Sequence, residues 1–183
     1  MTHEAINLCR EALPDALAFR DAAGRTAAGL AAPGGPVEPV LLDTHQFALH
    51  GYAWMATYVN ALEQLLGWAE RLESDGRFSD LESMILTCGF GAYLKQLKYG
   101  IAMSQDEITR PGDLGLDESD FFGGAAARKL MKEGDSIAVR QAIAETLRDR
   151  SGEFGDRGLD ETHVMIADQF RRFSDEKVSP HAH

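Results

Sequence analysis

The sequence predicts an all-α protein: a helical bundle of about five helices followed by one terminal, loosely docked helix. Three observations carry that expectation. Alanine (25) and leucine (20) far outnumber valine plus isoleucine (13), whereas buried sheets are built from Val/Ile-rich runs. Apolar residues recur in steps of three and four along most of the chain, the period of a helix face. No run alternates convincingly as a half-buried strand would, and no internal repeat or low-complexity tract is present.

The first segment, about 3–31, reads as a helix with Ile6, Leu8, Cys9, Leu13, Leu17 and Phe19 at apolar positions. Pro14 lies inside it and is expected to kink it or divide it in two. Pro33-Gly34-Gly35-Pro36 stops it. The strongest periodic signal follows, from about Val40 to Leu72. Ala48, Tyr52, Met55, Val59, Leu62, Leu66 and Ala69 form one seam. Phe47, Trp54, Tyr58, Leu65, Trp68 and Leu72 form a second, adjacent one. Two stripes exceed the ~100° of a surface helix, so this helix is expected to have neighbours on more than one side. Ser74-Asp75-Gly76 ends it, with Gly76 as the left-handed cap.

Ser79 and Asp80 read as the N-cap region of a helix reaching about Ile101. Its two stripes are Leu81, Met84, Ile85, Cys88 and Leu86, Phe90, Leu94, Leu97, Ile101. About five residues join it to the previous helix, so the two should pack antiparallel. Residues 102–116, with Pro111, Gly112 and Gly115, read as a loop. A short helix is expected after Asp117, holding Phe121, Phe122, Leu130 and Met131 and closing near Gly134. Another opens at Asp135-Ser136, with Ile137, Ala138, Ile143 and Leu147 inward. Ser151 to Gly158 is a linker candidate. The last helix starts at the N-cap Asp160, with Leu159 and Val164 placed as a hydrophobic staple and Pro180 beyond its end. Its seam is Leu159, His163, Ile166, Phe170 and Phe173.

The 183 residues fit one domain of ordinary size, and 44% apolar with 26% charged residues is a globular composition. A net charge of −11 repels phosphate backbones and anionic lipids, so neither nucleic acid nor membrane is an expected partner. Two cysteines within helical patterns, Cys9 and Cys88, fit a reducing compartment. The charged N-terminus lacks a signal peptide's apolar region, and no run is long enough to span a membrane. A cytoplasmic location is expected.

Candidate chemistry is sparse. His45 and His50 lie about 140° apart around a helix and cannot share a metal unaided. His3 and His163 stand apart from them, His181-x-His183 is a fraying terminal pair, and no Glu-x-x-His pair supports a di-metal bundle. Gly89-Phe90-Gly91 lacks the preceding strand and third glycine of a dinucleotide site, so close helix packing is the expected role. Cys88 reads as an inert core thiol. No serine has a nucleophile-elbow context. Trp54, Trp68 and the tyrosines have the spacing of core packing rather than of a ligand cage. Arg171-Arg172, flanked by Asp168, Asp175 and Glu176, read as an ion-paired solvent face. Catalytic residues: none; cofactor-binding residues: none; metal ligands: none.

A resemblance adds to this reading. Residues 160–183, DETHVMIADQFRRFSDEKVSPHAH, resemble the first helix of the acyl-CoA dehydrogenase family, which ends in a pattern such as F-x-x-x-x-V-x-P. Phe173, Val178 and Pro180 hold those places, preceded by Phe170, Arg171 and Arg172. Upstream, 44–72, 90–111 and 127–136 resemble the helical N-terminal extension of a family member that oxidises a branched dicarboxylic acyl-CoA. The His-Gly-x-Ala-Trp-x-Ala-Thr-Tyr-Val run at His50 to Val59 weighs most.

That resemblance implies a flavoprotein oxidoreductase with an N-terminal helical domain, a middle β-domain and a C-terminal helical domain. FAD lies between the latter two, and a carboxylate base works from the C-terminal helices. Such an enzyme oxidises the α,β carbon–carbon bond of an acyl-CoA thioester and passes electrons to an electron-transferring flavoprotein. Residues 1–150 would be the bundle extension, 151–158 the linker, and 159–183 the first helix of an incomplete dehydrogenase N-terminal domain. The chain is therefore expected to be the front of a larger enzyme, a fragment or split gene without a complete active site. FAD is expected in the full-length relative and not in this chain alone. The partner would be the rest of the dehydrogenase body, another subunit or a second copy. The alternative is a free-standing, acidic helical interaction protein without catalysis.

Overall fold

Alanines make the first seam. In the computed structural model, which describes residues 2–150 and 155–182, α1 (Thr2–Ala31) buries Ala5, Ile6, Cys9, Ala12, Ala16, Phe19, Ala23 and Ala27. Leu8, Leu13 and Leu17, expected to lead this face, are half-buried beside it. The helix is not divided at Pro14. Pro14 faces solvent, so its ring displaces no packed neighbour, and the buried seam continues on both sides of it.

The expected long helix from Val40 is two helices, α2 (Pro39–Thr44) and α3 (Gln46–Ser74), meeting at His45. The Thr44 hydroxyl donates back to the Val40 carbonyl, 2.8 Å, a contact that slightly weakens or bends a helix. Nothing in α2 is buried, so no packing holds it on the axis of α3. Within α3, Gly51, Met55, Val59, Leu62, Leu66, Ala69 and Leu72 are buried, the predicted seam with its first turn shifted. Of the second stripe only Leu72 is fully buried; Trp54, Tyr58, Leu65 and Trp68 are half-buried and Phe47 is exposed. Gly76 takes φ +68, and the Arg77 N–H closes the end on the Leu72 carbonyl at 2.8 Å.

α4 (Asp80–Tyr99) opens with a capping box between Ser79 and Glu82. Its second predicted stripe is the real core face: Leu86, Phe90, Leu94 and Leu97 are buried, while Met84, Ile85 and Cys88 are half-buried. α4 ends two residues earlier than expected because Gly100, at φ +129, turns the chain into a hairpin. There β1 (Ile101–Ala102) pairs antiparallel with β2 (Ile108–Thr109), in register Ile101 to Thr109. The predicted loop thus carries a small sheet, and Ile101 keeps its burial as a strand residue.

The side-chain pairs set the packing directions. Arg10 meets Glu70 and Arg20 meets Glu63, so α1 and α3 run antiparallel. Tyr58 reaches Gln96 and Leu65 lies against Gly89, so α3 and α4 do too. α1, α3 and α4 each touch the other two and enclose the main core.

Phe121 and Phe122 are not in a helix. Phe122 has φ +59, unusual for a bulky residue, and is buried with its ring 5.2 Å from that of Phe19. The helix begins only after Gly124, whose N–H donates to the Asp15 carboxylate at 3.1 Å. α5 (Ala125–Lys129) then widens into a π-turn over Leu130–Gly134. This turn presses on α4, where a Cβ at Gly91 would stand 2.5 Å from the Leu130 carbonyl oxygen. α6 (Ile137–Asp149) is capped by Ser136 and has no buried residue. α6 half-buries Val139, Ile143 and Leu147 and leaves Ile137 and Ala138, expected inward, exposed in its first turn. α7 (Glu161–Phe173) continues as a π-turn to Val178 and a 3-10 turn through Pro180. Seven α-helices and one two-residue hairpin make the described chain all-α in essence. None of its helices is long and apolar enough to cross a membrane.

Candidate functional site

The structure disperses the histidines. His3 pairs with Glu73, His163 with Asp160 at 2.8 Å, and His50 accepts the Trp54 indole N–H at 3.0 Å. His45 sits between α2 and α3, and His183 lies outside the described residues. Among the described residues no group of three or more His, Cys, Asp or Glu could hold a metal. Gly89 and Gly91 serve helix packing, with Leu65 and the π-turn against them. Trp54, Tyr58 and Tyr93 form a half-exposed ladder, the two tyrosine rings stacked at 4.5 Å. Arg171 pairs with Asp168 at 3.2 Å on the solvent face, as the charge pattern predicts.

Cys88 is not the core thiol that its stripe suggested. It is half-buried, 3.7 Å from the Asp135 carboxylate. Burial and then the neighbouring Asp135 push its thiol above the ordinary range. Asp135 itself bridges Lys95 (3.3 Å) and Arg140 (2.5 Å), tying α4 to α6. Burial raises this carboxyl, but the bonds from Arg140 and Lys95 outweigh it and hold it below the carboxylate range.

The densest polar constellation lies where α3 ends and α4 begins. Glu82 is 2% exposed. Its carboxylate accepts the Ser79 hydroxyl, the Ser79 N–H at 3.1 Å and, from 74 residues away, the Asp156 N–H at 2.8 Å. Burial alone would raise its pKa; these bonds win and lower it. The Asp156 carbonyl accepts the Trp68 indole N–H at 2.9 Å, and its carboxylate takes a fork from Arg77. Asp156 also accepts the Gly158 N–H at 2.8 Å, and these bonds outweigh its partial burial to keep its carboxyl low. Sequence reasoning did not single out Glu82, Arg77 or Asp156. The Ser-x-x-Glu spacing at Ser79 to Glu82 was the available signal, being that of a capping box.

Just past this corner, α7 presents an uncovered apolar face. Met165, Ile166, Phe170, Phe173 and Val178 are exposed, Phe170 at 71%. The first turn of α7 lies beside Arg71, Asp75 and Arg77. On the far side of α4, an apolar cleft of about 240 Å³ is floored by Ala5, Leu8, Leu130 and Val139 and rimmed by Glu4, Glu133 and Lys129.

The amino-acid sequence of this chain is similar along nearly its whole length to that of an acyl-CoA dehydrogenase. That relative is the (2S)-methylsuccinyl-CoA dehydrogenase of Cereibacter sphaeroides, 42% identical over 182 residues. The match takes in 98% of this chain and 33% of the relative, so the chain spans about a third of that enzyme's length. No family model matches. The apolar cleft does not fit FAD. It is smaller than the ~300–1,000 Å³ of ordinary cofactor sites, and two carboxylates against one lysine at its rim would repel a pyrophosphate.

Proposed function

We propose that this chain is the N-terminal portion of an FAD-dependent acyl-CoA dehydrogenase that oxidises the α,β carbon–carbon bond of a methylsuccinyl-CoA-like thioester. Within that enzyme the segment has a structural role and holds no complete active site. The observation that carries the reading is the 42% identity along 98% of the chain to a dehydrogenase three times its length. The uncovered face of α7 supports it, because an amphipathic helix of this kind is stabilised by burying such a face rather than by its own hydrogen bonds. The surface that α7 would lie on is the rest of the dehydrogenase N-terminal domain. FAD would be bound by that body, and electrons would leave to an electron-transferring flavoprotein. Two unpaired cysteines support a reducing, cytoplasmic setting.

The test is to read the coding sequence beyond His183 and express whatever follows in frame. The longer product is expected to carry a flavin band and to reduce a dye with (2S)-methylsuccinyl-CoA. Residues 1–183 alone, purified with excess FAD, are expected to do neither. Stoichiometric flavin on the short chain would overturn the structural role, and a frame closing at once would favour the free-standing interaction protein.

A further inference from the structure

We propose that the corner between α3 and α4 is a built receptor for the glycine-bounded turn 155–158, and that this contact sets where α7 leaves the bundle. Three bundle side chains meet three different groups of Asp156. Glu82 takes its backbone N–H, Trp68 supplies a donor to its carbonyl, and Arg77 grips its carboxylate. Ser79 in turn fixes Glu82 through the capping box. A free linker rich in glycine and charge would leave these groups to water. Here a carboxylate is nearly fully buried to receive one of them, which is costly unless the partner is always present.

The flanking glycines fit the same receptor. A Cβ at Gly155 would stand 2.6 Å from the Glu82 carboxylate oxygen. One at Gly158 would stand 2.9 Å from the Trp68 ring, and Gly158 has φ +65, where a side chain is strained. Arg157, between them, is exposed and takes no part. α7 itself has no buried residue, so its own packing gives little to hold its direction. The corner does that, whatever covers the helix, and failure of this proposal would leave the family reading untouched.

The test uses the whole chain, with amide hydrogen exchange followed by residue. In the unaltered protein the Asp156 and Gly158 amides are expected to be protected, since both are donors in the corner. Asp156→Ala should accelerate exchange at 156 and 158 by about tenfold or more while leaving Met55 to Ala69 unchanged. Arg157→Ala should change neither. A Trp54→Phe background leaves Trp68 as the single indole, whose emission should move to the red in Asp156→Ala only. Unprotected amides in the parent, or equal behaviour of the two variants, would overturn the proposal. So would equal acceleration of the α3 amides, which would make the corner part of the global core.

Discussion

Asp156 and Arg77 lie 79 residues apart in sequence, yet two bonds of 2.6 and 2.8 Å join the carboxylate to the guanidinium. Both are partly exposed, so solvent screens much of the attraction. Its value is directional, because a forked pair fixes two planes as well as a distance.

Acid should weaken the protein through this corner. Glu82 and Asp156 are both held below their ordinary carboxylate range. Groups lowered on folding contribute fully above their unfolded-state pKa and lose that contribution as pH falls through the folded one. Stability is expected to be level from neutrality to about pH 5 and to decline below about pH 4. Glu82→Gln should be less stable at pH 7 and lose less on acidification. Urea midpoints at several pH values check this, and parallel curves for the two proteins would refute it.

The seam of α3 should dominate stability. Leu62 and Leu66 are 0% and 5% exposed, so truncating either to alanine should cost about 2–5 kcal/mol. Arg71, on the exposed side, should cost within about 0.5 kcal/mol when replaced by alanine. Equal effects in urea unfolding would contradict the observed burial.

The thiols should react in order. Cys9 is fully buried, and burial pushes its pKa up to about 12, so almost no thiolate exists at pH 8. Cys88, half-buried and raised less far, should react slowly with a disulfide reagent. Cys9 should react only after unfolding. Two thiols titrating together in the native protein would count against this.

The terminal helix should contribute little to the bundle. Phe170→Ala and Phe173→Ala are expected to shift bundle stability by no more than about 0.5 kcal/mol, because both rings face solvent. Trypsin should cut at Arg171 or Arg172 before any site within α3. Early cleavage in α3 would show that α7 is the better-protected element.

Periodicity made the bundle legible. Met55, Val59, Leu62, Leu66 and Ala69 lie where steps of three and four put them, and Ser79, Ser136 and Asp160 cap the helices that they announce. Departures came where tertiary contact overrides local pattern. Phe122 leaves the predicted helix to pack on Phe19. The α3–α4 corner was illegible for a different reason. Its bonds join residues 74, 79 and 88 positions apart, and no local spacing encodes such pairs.

The alanine seam of α1 has one consequence for how the bundle keeps its alignment. Beyond Ile6 and Cys9, the small buried residues Ala12, Ala16, Ala23 and Ala27 are alike in size, so over this stretch one helical turn presents nearly the same profile as the next. A rail of that kind holds two helices close without saying where along each other they should stop. Phe19 interrupts it, clasped edge-on by Phe121 at 5.3 Å and by the tilted ring of Phe122. It works as a detent. The unusual backbone angle at Phe122 holds this notch, a steric stop beside the register that the Arg10–Glu70 and Arg20–Glu63 pairs mark.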